Sequence, residues 1–403
     1  MGGREHRKRA LPVREQIMAA KIVLFGAGAT GRGHVGLLAW QAGFEMVFVD
    51  KKPDLVKVLQ DAGRYVVRMY GGNEHGKEIV VRGYRVYHYL QREAIASEVV
   101  DAALVLTAVF DPNLADVAQT LALAVSDCRR AGRSKPLNCI ACENMMDSSS
   151  TLGKHVRSHL KGEDLAYCEK FFGFPDCMIS RVVPRPEPDP LVILTEDYNE
   201  WTTRAESFKG SKPVALTALE LVDNQTARLE RKLMIHNGGH AVCGYTGFHR
   251  GHEFIHEAVA DPVVVQHVQG AIDEIGEVVK RKHGFSAESI DAYKRDLGRR
   301  GAIAELRDQI LRVVRDPIRK LSDRERLVAP AKLAVEYGMP RRWIVKGIVA
   351  ALKYQHPNDR ESVQLKEQLE REGLEATLRK VCSIDASSPL AGEIAQAWKE
   401  WAI

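Results

Sequence analysis

The pattern of apolar and polar positions divides the chain into two stretches of different character. In the first, short apolar runs alternate with helical patterns, and the runs cover residues 21–25, 46–49, 104–108 and 137–142. Such runs are typical of strands buried on both faces of a parallel sheet. Beyond about residue 199, apolar residues recur with the 3.6-residue spacing of amphipathic helices. The chain is therefore predicted to be an α/β protein, with an N-terminal Rossmann-type doubly wound sheet followed by a mainly α-helical C-terminal domain.

Three units follow from this pattern. Residues 1–17 are polar and basic and lack an apolar signal core, so they are expected to form a disordered extension. Residues 18–198 are expected to form the dinucleotide-binding domain, and residues 199–403 a helical substrate and catalytic domain. Between residues 65 and 89, short β-rich segments separated by glycine turns predict a small antiparallel insertion. The helices predicted beyond the boundary cover residues 227–242, 253–281, 287–297, 303–319, 326–337, 343–354, 362–371 and 374–381.

A glycine-rich segment directly follows the first predicted strand and opens a helical pattern. It reads Gly26-Ala-Gly28-Ala29-Thr30-Gly31, which is the G-x-G-x-x-G spacing in its required context. In this motif the first glycine allows a tight turn, the second lets backbone N–H groups approach a pyrophosphate, and the third permits close helix–strand packing. The sequence therefore predicts a dinucleotide site.

Other candidate cofactor contacts follow the next predicted strands. Asp50 ends the second strand, where a carboxylate hydrogen-bonds the adenosine ribose hydroxyls and repels a 2′-phosphate, so NAD is favoured. Lys51 and Lys52 leave NADP open, because a cation beside Asp50 tolerates that phosphate. Since ligands bind outside the carboxyl ends of parallel strands, the backbone at the end of the third run is expected to contact the cofactor. The residues concerned are Thr107, Ala108 and Val109.

The segment from residue 232 to residue 251 carries the candidate catalytic chemistry. On a regular helix Lys232, Asn237 and His240 share one face. A lysine with a lowered pKa can accept a proton from an alcohol, and an amide can donate to the oxygen that becomes alkoxide-like. Asn144, which follows the 137–142 strand, is a second candidate amide; its alternative role is to cap the next helix. Gly238 and Gly239 predict close approach by another backbone or a ligand.

Composition and charge exclude some classes and leave others open. No apolar run approaches the roughly 20 residues that span a bilayer. The net charge of +5 is scattered rather than striped, which does not indicate nucleic acid. Arg315, Arg319 and Lys320 form a compact cationic group that suits a substrate phosphate or, equally, a solvated helix end.

Cysteine and histidine spacing raises a zinc alternative. The seven cysteines show no framework spacing, which fits a reducing cytoplasm, and the Cys139/Cys142 pair is expected to be a buried strand end. The segment from His252 to His256 spells HExxH, the spacing of helical zinc ligands. A zinc hydrolase needs no dinucleotide fold, so we expect no metal, and zinc stays an alternative.

Several separated motifs together resemble one family. FGAGATGRG at 25–33, TAV at 107–109, ACEN at 141–144, ERKLxxxNxGH at 230–240 and DPIRKLSxxxRL at 316–327 stand in the order found in polyol-specific long-chain dehydrogenases, and among these in mannitol-1-phosphate 5-dehydrogenases. The resemblance runs from about residue 21 to the C-terminus. It departs at 299–304, where relatives tend to carry an Asn-Pro pair and this chain reads RRGAIA.

The resemblance implies a role for each matching residue. Lys232 is implied as the general base, Asn144 and Asn237 as alkoxide stabilisers, and His240 as the residue that positions the polyol. The implied reaction is zinc-independent hydride transfer between D-mannitol 1-phosphate and D-fructose 6-phosphate with NAD.

Two other functions remain open. One is a dehydrogenase of an unphosphorylated polyol or a sugar acid, similar to mannitol 2-dehydrogenases. The other is a non-catalytic dinucleotide sensor. In each case we expect a cytoplasmic monomer or weak homodimer that binds a small molecule, without nucleic acid or membrane.

Overall fold

The computed structural model describes residues 20–184 and 188–401, so the predicted extension over residues 1–17 lies outside the described part. The strands are β1 (Lys21–Phe25), β2 (Glu45–Asp50), β3 (Arg64–Tyr70), β4 (Lys77–Arg82), β5 (Tyr84–His88), β6 (Leu104–Thr107), β7 (Leu137–Ala141), β8 (Phe172–Gly173), β9 (Cys177–Ser180), β10 (Val192–Glu196), β11 (Glu200–Arg204) and β12 (Glu220–Val222).

The α-helices are α1 (Gly36–Gln41), α2 (Pro53–Ala62), α3 (Arg92–Val99), α4 (Leu114–Arg130), α5 (Ser148–Ser158), α6 (Gly162–Phe171), α7 (Gln225–Arg231), α8 (Gly238–His249), α9 (Ile255–Ala258), α10 (Pro262–His283), α11 (Ala287–Gly301), α12 (Ile310–Val314), α13 (Pro317–Lys320), α14 (Val328–Glu336), α15 (Arg342–Leu352), α16 (Arg360–Cys382) and α17 (Pro389–Lys399). Two π-helical segments, Gly31–Val35 and Lys232–Asn237, lead directly into α1 and α8. Short 3₁₀ turns are Gly72–Glu74, Asp111–Asn113, Ala205–Ser207 and Ala304–Leu306.

The main sheet confirms the predicted doubly wound architecture. Its order is β5-β2-β1-β6-β7-β8 and every pairing is parallel. Ile22 and Leu24 of β1 belong to the core on one face, whereas Val23 and Phe25 belong to the core on the other. Helices α3 to α6 cover the second face, and α1, α2 and the small sheets cover the first. Burial on both faces explains why these strands read as continuous apolar runs.

The insertion between residues 65 and 89 is smaller than the sequence predicts. Strands β3 and β4 pair antiparallel, as expected, and β10 joins β3 in parallel. The assignment of 84–89 to this insertion is wrong, because β5 pairs in parallel with β2 at the edge of the main sheet. The alternating pattern of an edge strand does not reveal its partner, since an exposed edge strand resembles a strand of a small two-faced sheet.

Two long helices predicted in the second half are interrupted. The helix predicted over 253–281 divides at Asp261, whose side chain accepts from the Val263 N–H at 2.9 Å and caps α10, which begins at Pro262. The helix predicted over 303–319 consists of a 3₁₀ turn, α12 and α13, because Arg307 and Asp316 adopt left-handed backbone conformations. Local turn and capping chemistry therefore overrides the apolar periodicity in both segments.

The helical half has one large core built around α8, α10 and α15. The predicted boundary near residue 199 falls between β9 and β11, which pair antiparallel across it. We therefore propose that the division between the two halves lies between β12 and α7. No helix of the described residues is long and apolar enough to cross a bilayer. Cys139 and Cys142 are buried and unbridged, as the strand-end interpretation predicts.

Candidate active site

The glycine turn at the end of β1 has a shape that only glycine satisfies. Gly26 has φ of 99°, and a Cβ placed there meets the Ala108 carbonyl oxygen at 2.2 Å. A Cβ on Gly31 meets the Gly26 carbonyl oxygen at 1.9 Å. By contrast, nothing lies within 4 Å of a Cβ built on Gly28. The turn is thus tightly packed behind Gly26 and Gly31 and open in front of Gly28, where a ligand approaches the backbone.

A buried arginine holds this turn from below. Arg32 is 1% exposed, and its Nε donates to the Ala27 carbonyl at 2.6 Å while its Nη1 donates to the Pro190 carbonyl at 2.6 Å. Ala29 and Thr30 begin the helical stretch that continues into the first π-helical segment. The backbone N–H groups of this first turn are therefore held in place for an anion.

Asp50 lies beside the glycine turn, at the edge of a cleft of about 190 Å³. Its carboxylate accepts from the Ala27 N–H at 2.9 Å and from the Lys52 N–H at 2.9 Å. Lys51 Nζ donates to Asn113 Oδ1 at 2.5 Å, across the same cleft. The two backbone donors fix the carboxylate and leave its negative charge facing the cleft.

The backbone after β6 is fixed by a buried carboxylate that the sequence analysis did not list as a site residue. Glu143 accepts from the Thr107 hydroxyl at 2.9 Å and from the backbone N–H groups of Val109 at 2.8 Å and Phe110 at 2.9 Å. Thr107 is fully buried, so its hydroxyl serves the loop rather than a ligand. Ala108 and Val109, which were predicted to contact the cofactor, line the cleft together with Phe110.

Lys232 and Asn144 meet although they lie 88 positions apart. Lys232 Nζ donates to Asn144 Oδ1 at 2.7 Å, between the end of β7 and the start of the second π-helical segment. Asn144 does not cap the following helix, because Asp147 occupies that position. The π-helical geometry closes i→i+5 turns, so Asn237 lies one turn above Lys232 rather than 140° away around a regular helix.

The surroundings of Lys232 favour the neutral form of its amine. Burial of the amine against the protein, followed by the positive charges of Arg326 and Arg300, lowers its pKa to about 8. Glu200 acts in the opposite direction but does not compensate. The residue nevertheless keeps some solvent exposure. A substantial fraction of this amine is therefore neutral near physiological pH.

The two glycines after Asn237 permit close packing, as predicted. A Cβ on Gly238 meets the Arg326 carbonyl oxygen at 2.9 Å, so another backbone lies against the helix there. A Cβ on Gly239 meets Ile272 at 2.6 Å and Leu297 at 3.1 Å. The absence of a side chain at Gly238 therefore lets the Arg326 backbone lie against the helix just after Asn237.

A buried ion pair joins the two halves near Lys232. Arg300 Nε and Nη2 donate to the two oxygens of Glu196 at 2.8 Å and 2.7 Å, and the guanidinium lies 3.9 Å from the centre of the Tyr198 ring. Both partners are buried. Arg300 Nη1 also lies 3.4 Å from His236 Nδ1, and burial followed by this positive charge lowers the pKa of His236. His236 is therefore neutral at physiological pH.

His240 lies at the far end of the same helical face and contacts a carboxylate. His240 Nε2 is 3.4 Å from Asp308 Oδ2, and Arg312 donates to both Asp308 oxygens at 2.6 Å and 2.7 Å. Burial opposes ionisation of Asp308, but the hydrogen bonds from His240 and Arg312 outweigh it and hold its pKa below the ordinary value. The ionised Asp308 thus orients the His240 ring.

The predicted cationic group divides into exposed and buried members. Arg315 and Arg319 are about half exposed and lie near Asp316 at 3.7 Å and 3.9 Å. Lys320 is 4% exposed, and its amine donates to the Arg315 carbonyl. Burial, then the charges of Arg319 and Arg326, lowers its pKa to about 7. Lys320 and Arg326 are thus buried, unlike Arg315 and Arg319, a difference that spacing alone did not distinguish, and Arg326 Nε donates to Glu325 Oε2 at 2.9 Å.

The HExxH segment does not have the geometry of a helical zinc motif. Helix α9 begins only at Ile255, so His252 and His256 do not share a helix turn. His252 Nε2 instead lies 3.0 Å from Asp261 Oδ2. Within residues 20–184 and 188–401, no group of three or more His, Cys, Asp and Glu side chains is placed to hold a metal ion.

The comparisons with known proteins concern almost the whole chain. A family model described as the mannitol dehydrogenase Rossmann domain matches residues 20–216, and one described as the mannitol dehydrogenase C-terminal domain matches residues 226–402. A mannitol-1-phosphate 5-dehydrogenase of Brevibacillus brevis is 36% identical over 383 residues, which cover 94% of this chain and 98% of that protein.

Solved structures share the architecture at low sequence identity. A ternary complex of Pseudomonas fluorescens mannitol 2-dehydrogenase with NAD and D-mannitol aligns over 95% of this chain and 91% of its own, with TM-score 0.74 and 16% identity. A substrate-free D-sorbitol dehydrogenase covers 94% of this chain and 93% of its own, with TM-score 0.77 and 17% identity. At such identities the likeness establishes the fold.

Proposed function

The chain belongs to the mannitol dehydrogenase family, and we propose that it is an NAD-dependent dehydrogenase that interconverts D-mannitol 1-phosphate and D-fructose 6-phosphate. The observation that carries this proposal is the contact between the Lys232 amine and Asn144 at the carboxyl edge of the parallel sheet. The 36% identity to a mannitol-1-phosphate 5-dehydrogenase over nearly the full length of both chains supports this substrate.

The residues at the glycine turn fit a dinucleotide. The open space in front of Gly28 admits a pyrophosphate, and the fixed carboxylate of Asp50 suits ribose hydroxyls and opposes a 2′-phosphate. Thr30 and Ala29 contribute the first helical N–H groups. NAD bound there would supply the hydride acceptor for oxidation at C5 of the polyol.

Lys232 removes the proton in the oxidation. The neutral amine takes the proton of the C5 hydroxyl as the C5–H bond breaks, which leaves a carbonyl at C5 and an ammonium on Lys232. In the reduction the same ammonium returns the proton to the new hydroxyl. A general base of this kind contributes about 10²- to 10⁴-fold to the rate.

Two amides stabilise the charge that develops on the reacting oxygen. Asn144 Oδ1 accepts from Lys232, so its Nδ2 is left to donate to the substrate oxygen. Asn237, one π-helical turn above Lys232, supplies the second donor. Each such donor contributes about 3 to 4 kcal/mol in comparable sites. His240, oriented by Asp308, positions the polyol.

The substrate phosphate is proposed to bind at the cationic group. Arg315, Arg319 and Lys320 were predicted from the sequence, and the buried positions of Lys320 and Arg326 favour these two as direct ligands. A dianion between them offsets their mutual repulsion and restores the protonated form of Lys320. Arg315 and Arg319 then act as outer charges.

The remaining properties follow from the composition and the family. The chain acts on a small molecule, and we propose that it works in the cytoplasm as a monomer or weak homodimer, independently of nucleic acid. Seven cysteines, all unbridged, suit a reducing compartment.

A substrate panel tests this function directly. NADH formation is followed with D-mannitol 1-phosphate, D-mannitol, D-sorbitol and D-sorbitol 6-phosphate, each with NAD and with NADP. We expect kcat/KM for D-mannitol 1-phosphate with NAD to exceed every other combination by at least about 100-fold, because the phosphate contacts are charge-assisted. A preference for free mannitol would favour the unphosphorylated-polyol alternative.

A further inference from the structure

A second, smaller cavity is lined by His240, one of the candidate catalytic residues. It lies between the helix that carries His236 and His240 and the segment from Arg300 to Asp308. Its lining consists of Val182, His236, His240, Ile255, His256, Leu297, Arg300, Gly301, Ile303, Leu306 and Asp308. His236 and His240 follow Lys232 by about one and two helical turns, so the cavity extends the site along this helix.

The size of this cavity restricts what it accepts. Its volume is about 30 Å³. A water molecule needs at least about 10 to 15 Å³ on this measure, so the cavity holds one or two non-hydrogen atoms. A whole hexitol is excluded, and so is a phosphate. One hydroxymethyl group fits.

Most polar groups around the cavity already have partners. His240 is engaged by Asp308, Asp308 also by Arg312, and Arg300 by Glu196. His256 differs, because its buried Nδ1 has no hydrogen-bond partner among the described residues. Its ring stacks on Phe254, with centroids 5.5 Å apart and an interplanar angle of 20°. His256 also lines the cavity, so a buried imidazole nitrogen without a partner belongs to a residue of the cavity wall, which is an incomplete polar site.

We propose that this cavity binds the terminal hydroxymethyl group next to the reacting carbon, and that His256 is the specificity-determining residue that hydrogen-bonds its hydroxyl. The inference rests on the proposed function. In D-mannitol 1-phosphate the reacting C5 carries a single hydroxymethyl on one side and a four-carbon arm ending in phosphate on the other. The small cavity takes the short arm, and the pair of Lys320 and Arg326 takes the long one.

The test compares two substrates that differ only at this hydroxyl. In the reduction the group is C1 of D-fructose 6-phosphate, and 1-deoxy-D-fructose 6-phosphate lacks its oxygen. The wild-type enzyme is expected to prefer the hydroxylated substrate by about 10- to 100-fold in kcat/KM, the range for a buried polar group left without a partner. His256→Phe keeps the ring against Phe254 but removes both nitrogens, so the preference should fall below about 3-fold.

The preference of the wild type divided by that of the His256→Phe variant measures the contribution of the His256 hydrogen bond alone. The two substrates also differ in how much open-chain ketone each presents, but that factor is the same for both enzymes and cancels. His252→Asn is the matched control, because His252 is the other histidine of the pair and contacts Asp261 away from the cavity. It should keep the wild-type preference. His256→Asn, measured beside His256→Phe with thermal unfolding of both, provides a second variant in case the phenylalanine variant does not fold.

The outcomes separate the inference from the function on which it rests. If the wild type reduces D-fructose 6-phosphate but prefers it over the 1-deoxy substrate by less than about 3-fold, the cavity does not bind the hydroxyl specifically. A folded His256→Phe enzyme that keeps the wild-type preference equally overturns the role of His256. If the wild type reduces neither substrate, the proposed function itself fails.

Discussion

The candidate site has a nucleotide side and a helical side, and the functional groups of the two sides are held in place in different ways. On the nucleotide side, residues 26–31 are consecutive, and the backbone itself has the required shape, with Gly26 in a left-handed conformation against Ala108. On the helical side, the amine of Lys232 depends on Asn144 from the other domain and on the charges of Arg326 and Arg300. One half is built from local conformation, and the other from side chains assembled across the fold.

The same kind of element serves both halves. A π-helical segment lies within a helix on each side, Gly31–Val35 before α1 in the first half and Lys232–Asn237 between α7 and α8 in the second. Such segments are rare and frequent at functional sites. In the first half the segment follows the glycine turn, whereas in the second it carries Lys232 and Asn237. Substitutions in the first half should therefore alter cofactor affinity, whereas substitutions in the second half should alter the rate of the chemical step.

The largest effect is expected from removing the base. Lys232→Ala should lower kcat by about 10³-fold, because no other neutral amine contacts Asn144 among the described residues. NADH affinity, measured by fluorescence titration, should stay within about 3-fold of wild type. Lys154→Ala, an exposed lysine on α5, is the control. A turnover within tenfold of wild type would contradict the assignment.

The glycine turn offers a matched pair of substitutions. Gly26→Ala introduces a Cβ against a carbonyl at 2.2 Å in a left-handed conformation, so it should destabilise the fold by at least about 2 kcal/mol in urea unfolding. Gly28→Ala meets no protein atom within 4 Å and should unfold like the wild type. It should nevertheless bind NADH about 10- to 100-fold more weakly, because the methyl group occupies the approach to the backbone. Wild-type NADH affinity in Gly28→Ala would disprove this geometry.

Asp50 tests whether charge on the nucleotide side selects the cofactor. Asp50→Asn keeps the side-chain shape but removes the negative charge that opposes a 2′-phosphate. The ratio of kcat/KM with NAD to that with NADP should fall by about tenfold or more, since Lys51 and Lys52 are adjacent. Asp54→Asn, in the first turn of α2, should leave the ratio unchanged. An unchanged ratio in Asp50→Asn would mean that another group sets the preference.

The smallest effect concerns the pH dependence of the helical side. Because Lys232 must be neutral to accept a proton, kcat/KM for oxidation should rise with pH and level off above about 8. Reduction needs the ammonium, so its kcat/KM should fall over the same range. Arg326→Met removes a nearby positive charge and should raise this kinetic pKa by about one unit. Arg319→Met, which removes an exposed arginine, should not; equal shifts in both variants would show that the effect is not local.

Particular elements show how far the sequence could be interpreted. Apolar runs predicted β1, β2, β6 and β7, because strands buried on both faces need no information about neighbours. The edge strand β5 was assigned to the wrong sheet, because its pattern of apolar and polar residues does not indicate which strand it pairs with. The single helix expected over 303–319 failed because Arg307 and Asp316 take left-handed conformations that apolar spacing does not signal.

The candidate site divides in the same way. Residue type and spacing predicted Gly26, Gly28 and Asp50 for a dinucleotide site and offered Lys232 as a candidate base, and the family resemblance then implied that role for Lys232. The sequence analysis listed Arg315 and Arg319 beside Lys320, although of these three residues only Lys320 is buried. Glu143, Arg326 and Asp308 went unrecognised, since single charged residues in helical or loop segments carry no local pattern.

The sequence by itself determined the glycine turn, the alternation of strands and helices, and the presence of an amine, two amides and an imidazole. These depend on interactions between residues close in the chain, which periodicity and steric limits describe. Only the tertiary structure decided that Lys232 meets Asn144, that Arg326 and Arg300 lower its pKa, and that His256 faces a cavity. Burial and charge act through space, so their effects are fixed only when distant segments pack together.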